Sequence, residues 1–337
     1  VTTAMLREVR EIPAALTAAL AGRAGRFAEL AERYRAAPPR LLVFCGRGSS
    51  GHAGMLLRYL AETRLGIPVS ASAPSVVTSF DRVARLDGAW FVVISQSGGS
   101  PDLVAATRAA RAGGALTIAI LNDTASPVAG EAEIVLPMGA GAEVSVAATK
   151  SVATSMAISA GLVAAIARDE ALDASLDRLP ERARAALALD WPALVDDLQG
   201  ARCAFVTARG FGLGSARELA LKMAETLRLP ALAYSAAELL HGPRAAIARD
   251  TPVLALRVED ATAPAVDTLV EALRSAGVPV HLCGGAAGSL SWIGDDHPVT
   301  DAIAMLVPAY RAIEAGARRL GFDPDRPPYL SKVTRTL

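Results

Sequence analysis

Apolar residues in this chain fall into short unbroken runs separated by stretches of helical spacing. Leu41-Leu42-Val43-Phe44-Cys45 and Trp90-Phe91-Val92-Val93-Ile94 carry no polar alternation, as expected of strands covered on both faces. The pattern predicts strands at 41–45, 67–71, 90–94, 116–121 and 133–138, with helices at 50–65, 101–113 and about 145–168. After a charged, helical stretch at 169–197, punctuated by Pro180 and Pro192, the pattern restarts. It then gives strands at 202–207, 252–258 and 278–283 and helices at 215–228, 264–276 and 301–320. Strand–helix alternation at this spacing predicts an α/β fold of parallel sheets with helices on both faces.

The two halves echo each other. Cys45-Gly46-Arg47-Gly48-Ser49-Ser50 and Ala208-Arg209-Gly210-Phe211-Gly212 both place Arg-Gly and small residues between strand and helix, an internal repeat of about 160 residues. The expected organisation is a helical arm at 1–37, a first domain at 38–168, a helical connection at 169–197, a second domain at 198–320 and a tail at 321–337. The arm is amphipathic, with Leu6, Val9, Ile12, Leu16 and Leu20 near helical spacing, and it is too short for a helix-turn-helix domain.

Composition narrows the function classes. A length of 337 residues favours two domains, and 52% hydrophobic residues with only 4% aromatics implies aliphatic cores. Lys plus Arg equal Asp plus Glu at 34 each, which leaves no basic footprint for nucleic acid. Three sparse cysteines, Cys45, Cys203 and Cys283, lie in or beside apolar runs, arguing for buried thiols in a reducing cytosol rather than a disulfide framework. Ser151 to Ala167 is the longest uncharged run, but it holds four Ser/Thr and is slightly short for a membrane span of about 20 residues, so a buried helix is expected. The N-terminus carries no signal-peptide pattern, and the expected location is the cytoplasm, with neither membrane nor nucleic-acid partner.

Chemistry is concentrated in two turns. Ser95, Gln96, Ser97 and Ser100 follow the strand at 90–94, with two glycines among them, Ser100 available as N-cap and Pro101 in the first helical turn. Gly46 to Gly54 forms a second hydroxyl-bearing turn after the strand at 41–45. A helix start offers unpaired N–H groups and partial positive charge, so such turns make a neutral cradle for an anion such as a phosphate monoester. Further along, Lys222 and Glu225 share a face of an apolar helix, His241 precedes a Gly-Pro turn, and Lys332 sits in the tail. By spacing alone these would be a surface ion pair, a structural histidine and a solvated lysine.

Six segments in order change that weighting: GRGSSGHAG, SQSGGSPD, AEVSVAATK (142–150), SARELALKMAE, AELLHGP and YLSKVT. Together they resemble the sugar isomerase (SIS) domain, above all the isomerase half of glucosamine-6-phosphate synthase and its stand-alone relatives, over about residues 40–337. The resemblance implies two tandem SIS domains, each a flavodoxin-like parallel sheet flanked by helices. It implies that Ser50, Ser95, Gln96, Ser97 and Ser100 hold the phosphate of a small sugar phosphate and that Ser49 and Val146 contact the sugar. Glu225 would carry a proton between carbons 1 and 2, with Lys222 supporting the open-chain oxygens or Glu225 itself. His241 would assist ring opening, reaching the site from the neighbouring subunit of a homodimer with a shared active site. Lys332 would lie over the site with the tail, placed to form an imine with the keto sugar.

The residue types suit aldose–ketose exchange: a histidine for proton shuttling near neutral pH, one carboxylate base, and a cation beside the developing enediol charge. That chemistry calls for no metal or redox cofactor. The synthases also carry a glutaminase domain, for which this chain, starting at Val1, has no room, and Gly99 stands where they usually have Glu. The expected activity is therefore conversion of glucosamine 6-phosphate to fructose 6-phosphate and ammonia. The alternatives are a glutaminase-less synthase-type isomerase, another phosphosugar isomerase or deglycase, and a non-catalytic phosphosugar sensor, the last disfavoured by Glu225, His241 and Lys332.

Overall fold

A computed structural model describes residues 2–332, so residues 333–337, the end of the expected tail and of the YLSKVT segment, lie outside the described residues. Helices α1 (Ala4–Leu20) and α2 (Arg23–Ala36) precede β1 (Leu41–Cys45), α3 (Ser49–Leu60), β2 (Val69–Ala71) and the single turn α4 (Ser75–Thr78). Then come β3 (Ala89–Ser95), α5 (Pro101–Ala112), β4 (Leu116–Leu121), α6 (Pro127–Glu131), β5 (Ile134–Pro137) and α7 (Lys150–Ala167). Helices α8 (Glu170–Ala186) and α9 (Pro192–Gln199) lead to β6 (Ala204–Ala208), α10 (Leu213–Leu227), β7 (Ala231–Ser235) and α11 (Ala236–Leu240). The described chain finishes through β8 (Val253–Leu256), α12 (Ala263–Ser275), β9 (Val280–Cys283), α13 (Pro298–Ala304) and α14 (Leu306–Arg319).

The chain forms two compact units. The first contains Ala14–Glu143 and Lys150–Asp177, together with Ser331 and Lys332; the second contains the residues up to Pro13, Val144–Thr149 and Arg178–Leu330. Within the first unit a five-stranded sheet runs in the order β2-β1-β3-β4-β5, every pairing parallel. This is the flavodoxin-like order, in which the chain reverses its direction of growth between β1 and β3. All seven residues of β3 are buried, which explains its unbroken apolar run, whereas the edge strand β2 is mostly exposed. One core layer joins Val43, Phe91, Val93, Ala119 and Leu121 of the sheet to Leu103, Ala106 and Ala110 of α5. On α3, a Cβ at Gly54 would fall 2.3 Å from the Phe44 ring, so a glycine there lets the helix lie close against β1.

Helix α7 is long and apolar enough to cross a membrane, yet 89% of it is buried within the protein, where it packs on α2, α3 and β4. It is a core helix, which is why its hydrophobicity runs around all faces.

In the second unit, β7-β6-β8-β9 form an all-parallel four-stranded sheet, the same order shortened by its last strand. Its core packs Phe205, Val253 and Ala255 against Val266, Leu269, Val270 and Leu273 of α12. Several predicted elements shift. The expected helix from about 145 begins only at Lys150, because residues 144–149 run as an irregular segment. The helix expected to 65 ends as a π-helical turn over Ala61–Leu65. The helix expected at 301–320 is two helices, α13 and α14, meeting at Met305. Strand β7 was not predicted: Ala-Leu-Ala-Tyr-Ser has no β-branched residue, and its place comes from pairing along β6.

Candidate active site

Strands β1 and β3 are parallel neighbours in register from Leu41↔Ala89 to Cys45↔Val93, so the turns that follow them emerge side by side at the carboxyl edge of the first sheet. That is where the strand order reverses, the position at which open parallel sheets form a ligand crevice. The β1 turn enters α3 through Gly48, whose φ of 49° favours glycine, and places Ser49 and Ser50 in the first helical turn, both partly exposed. The β3 turn is built by its own hydroxyls: Ser95 Oγ accepts from Gly98 N (3.0 Å) and Ser97 Oγ accepts from Gly99 N (3.3 Å). Ser100 takes the N-cap position of α5 with extended backbone, followed by Pro101, while the Gln96 carbonyl accepts from Asp123 N (3.2 Å). Two helix N-termini and their hydroxyls thus share one edge, a neutral arrangement of donors suited to a phosphate. Cys45 closes β1 below this turn; burial pushes its thiol up to about 12, which makes it an inert core residue rather than a nucleophile.

Glu143, also in the first unit, is completely buried and accepts from Ser151 N (3.1 Å) and Ser151 Oγ (2.6 Å). Lys332 Nζ lies 3.2 Å from Glu143 Oε2, so the described end of the tail is held by an ion pair. Attack on a carbonyl requires the Lys332 amine to leave this pair.

In the second unit, the sequence-predicted pair on α10 is part of a triad. Lys222 Nζ contacts Glu225 Oε2 and lies 3.4 Å from Glu218 Oε1, and Glu218 also receives the Tyr310 hydroxyl (3.3 Å). Side-chain exposures of 1% for Lys222, 0% for Glu218 and 18% for Glu225 separate their roles: Glu225 is the member open to a ligand. Burial pulls the Lys222 ammonium down, but the charges of Glu218 and Glu225 overcome it and hold the group above the ordinary lysine value. Glu218 escaped the sequence reading, although Glu-x-x-x-Lys-x-x-Glu sets three charges on one helical face.

His241 is exposed at the C-cap of α11, a helix started by a capping box in which Ser235 and Glu238 bond each other's backbone. His281 pairs with Asp197 (2.7 Å) and His297 Nδ1 accepts from Val299 N, so both have structural tasks. Val146 lies in the irregular segment of the second unit, next to Ser145, whose N–H is held by the buried Glu8 (3.2 Å). The structure therefore groups Ser49, Ser50, Ser95, Gln96, Ser97 and Ser100 in the first unit, sets Lys332 beside Glu143 there, and groups Lys222 with Glu225 in the second unit, which also holds Val146 and His241. The pairings of Glu143 with Lys332 and of Glu8 with Ser145 left no signal in the sequence, since their members are 189 and 137 positions apart.

This architecture recurs in known proteins. An isomerising glutamine–fructose-6-phosphate aminotransferase of Symbiobacterium thermophilum is 33% identical over 293 residues, covering 81% of this chain and 48% of that protein. One from Methanothermobacter thermautotrophicus is 33% identical over 350 residues, 97% of this chain and 56% of that protein, so the chain spans about half the length of the curated relatives it matches. The crystal structure of a candidate phosphosugar isomerase from Silicibacter pomeroyi DSS-3 is 38% identical, with a TM-score of 0.91 over 96% of this chain and 100% of that one. The family model for the SIS domain matches residues 37–165 and 197–294, one stretch for each parallel sheet. With more than half its length matched and both sheets in the expected order, this chain belongs to the SIS domain family, as a relative of the isomerising aminotransferases.

Proposed function

We propose that this chain is an amino-sugar-phosphate isomerase and deaminase that converts glucosamine 6-phosphate and water to fructose 6-phosphate and ammonia. The observation that carries the proposal is the α10 triad: one partly exposed carboxylate, Glu225, beside an ammonium that Glu225 and a second carboxylate, Glu218, keep charged against its burial. A base meant to return the proton it takes must be reachable, and the cation beside it must keep its own proton. The partial exposure of Glu225 and the raised value of Lys222 support this assignment. The activity of the related aminotransferases, which joins an amino group to fructose 6-phosphate, supports the substrate class.

In this reading Ser50, Ser95, Gln96, Ser97 and Ser100 hold the phosphate and Ser49 and Val146 orient the sugar. His241, donated by the second copy of a homodimer, protonates the ring oxygen as the ring opens. Glu225 removes the proton from carbon 2 and returns it to carbon 1, leaving a hydroxyl at carbon 1 and an imine at carbon 2. Water adds to the imine, the carbon–nitrogen bond breaks, and ammonia and the ketose leave. A second route to the same products uses Lys332: parted from Glu143, its amine adds to carbon 2 and expels ammonia, and water then hydrolyses the lysine imine to free the ketose and the amine.

The test is incubation with glucosamine 6-phosphate in the absence of glutamine, with ammonia and fructose 6-phosphate followed together. Equimolar appearance of both is expected. Isomerised sugar without ammonia would replace the proposal with an isomerase, and tight binding without turnover would replace it with a sensor.

A further inference from the structure

We infer that Arg47 is a phosphate-binding residue that makes the cradle selective for phosphorylated sugars, with Asp102 as the residue that positions it. The inference rests on the reading of the serine-rich turns as the phosphate site. Among residues 46–51 and 95–100 Arg47 is the only charged side chain, so without it the cradle offers a phosphate dianion nothing but dipoles.

The geometry is specific. Arg47 stands in the β1 turn, between the end of β1 and Ser49, and its carbonyl accepts from Ser50 N (3.0 Å). Its guanidinium reaches the first turn of α5, two residues past Ser100, and Nη2 pairs with Asp102 Oδ2. The pair therefore ties the two turns together. Asp102 is completely buried, and its other oxygen accepts from Leu103 N (2.9 Å). A buried carboxylate demands a partner, so the inner edge of the guanidinium is fixed. Arg47 is nonetheless 49% exposed. A guanidinium has five N–H donors in a rigid fork, and those not facing Asp102 remain at the surface of the turn.

This arrangement explains how a chain with equal numbers of acids and bases can hold a dianion. The Arg47–Asp102 pair adds no net charge to the empty site. Once a phosphate arrives, the outer N–H groups make charge-assisted hydrogen bonds to it without leaving Asp102. A neutral sugar receives no such gain, so the residue discriminates by the presence of the phosphate.

The experiment is calorimetric titration of fructose 6-phosphate, with inorganic phosphate as the minimal probe, into wild type, Arg47→Lys and Arg47→Met at low and high salt. Lysine keeps a cation against Asp102 but loses the fork, and its affinity should fall about tenfold; methionine should lose about a hundredfold. The wild-type affinity should weaken with added salt and that of Arg47→Met should not. Wild-type affinity in a folded Arg47→Lys would overturn the inference. So would an Arg47→Met protein that binds weakly yet keeps the full salt dependence, because the residue would then be only a clasp between turns. Failure of wild type to bind either probe would instead overturn the phosphate site itself.

Discussion

A lysine with 1% of its side chain exposed ordinarily gives up its proton, and Lys222 keeps it because two carboxylates lie against it. The direction of that shift fixes its pH behaviour. A folded value raised above the unfolded one, about 10.4, contributes stability that is complete below that pH and is lost only as pH climbs through the folded value. The triad is therefore intact throughout the neutral range. Replacing Lys222 by Met strands the fully buried Glu218 without its cation, and thermal unfolding should report a loss of about 3–5 kcal/mol. Glu225→Gln leaves Lys222 with Glu218 and a polar neighbour. Turnover should drop roughly a thousandfold while the melting temperature stays close to wild type. A joint fall in both would mean that Glu225 is structural. At this scale spacing along one helix was legible in the sequence, whereas Glu143 with Lys332 was not, since no local rule links residues that far apart.

Among the elements, the turns after β1 and β3 carry the most information. Their glycines are needed where the backbone turns through positive φ: Gly98 has φ 56°, and a Cβ there would fall 2.0 Å from Ser126 Oγ and 2.6 Å from Ser126 Cβ. Gly98→Ala should therefore lower stability by about 2 kcal/mol and weaken phosphosugar binding with it. Gly22 has nearly the same φ, 63°, but open space around it, so Gly22→Ala serves as the control and should show only the smaller conformational cost in the same melting experiment. Strands with continuous apolar runs and helices with amphipathic spacing were readable in the chain. β7 was not, because an edge strand of Ala, Leu, Ala, Tyr and Ser is defined by the neighbour it pairs with. Nor was the late start of α7, where the Glu8 side chain holds the Val144 and Ser145 amides outside a helix.

For the whole molecule, the proposed reaction needs a proton donor from a second copy. His241 is the exposed member among the described histidines, on a short helix that also shows Leu240 at the surface. Neither single variant, His241→Ala or Glu225→Ala, should turn over as a homodimer. Mixed dimers purified with two different tags should regain a measurable fraction of wild-type activity, because one composite site then has both residues. Inactive verified heterodimers would place His241 and Glu225 in the same chain's site or remove His241 from the reaction.

Most strands and helices, the duplication and the hydroxyl-rich turns followed from the sequence alone, because they rest on local periodicity and on residues whose backbone preferences act within a few positions. Tertiary structure decided the rest. It joined Glu218 and Tyr310 to the lysine pair, bound Arg47 to Asp102 and Lys332 to Glu143, and made a membrane-length apolar helix the centre of a core. Each of these depends on which groups are removed from water together, and burial is a property of the folded chain rather than of any stretch of it.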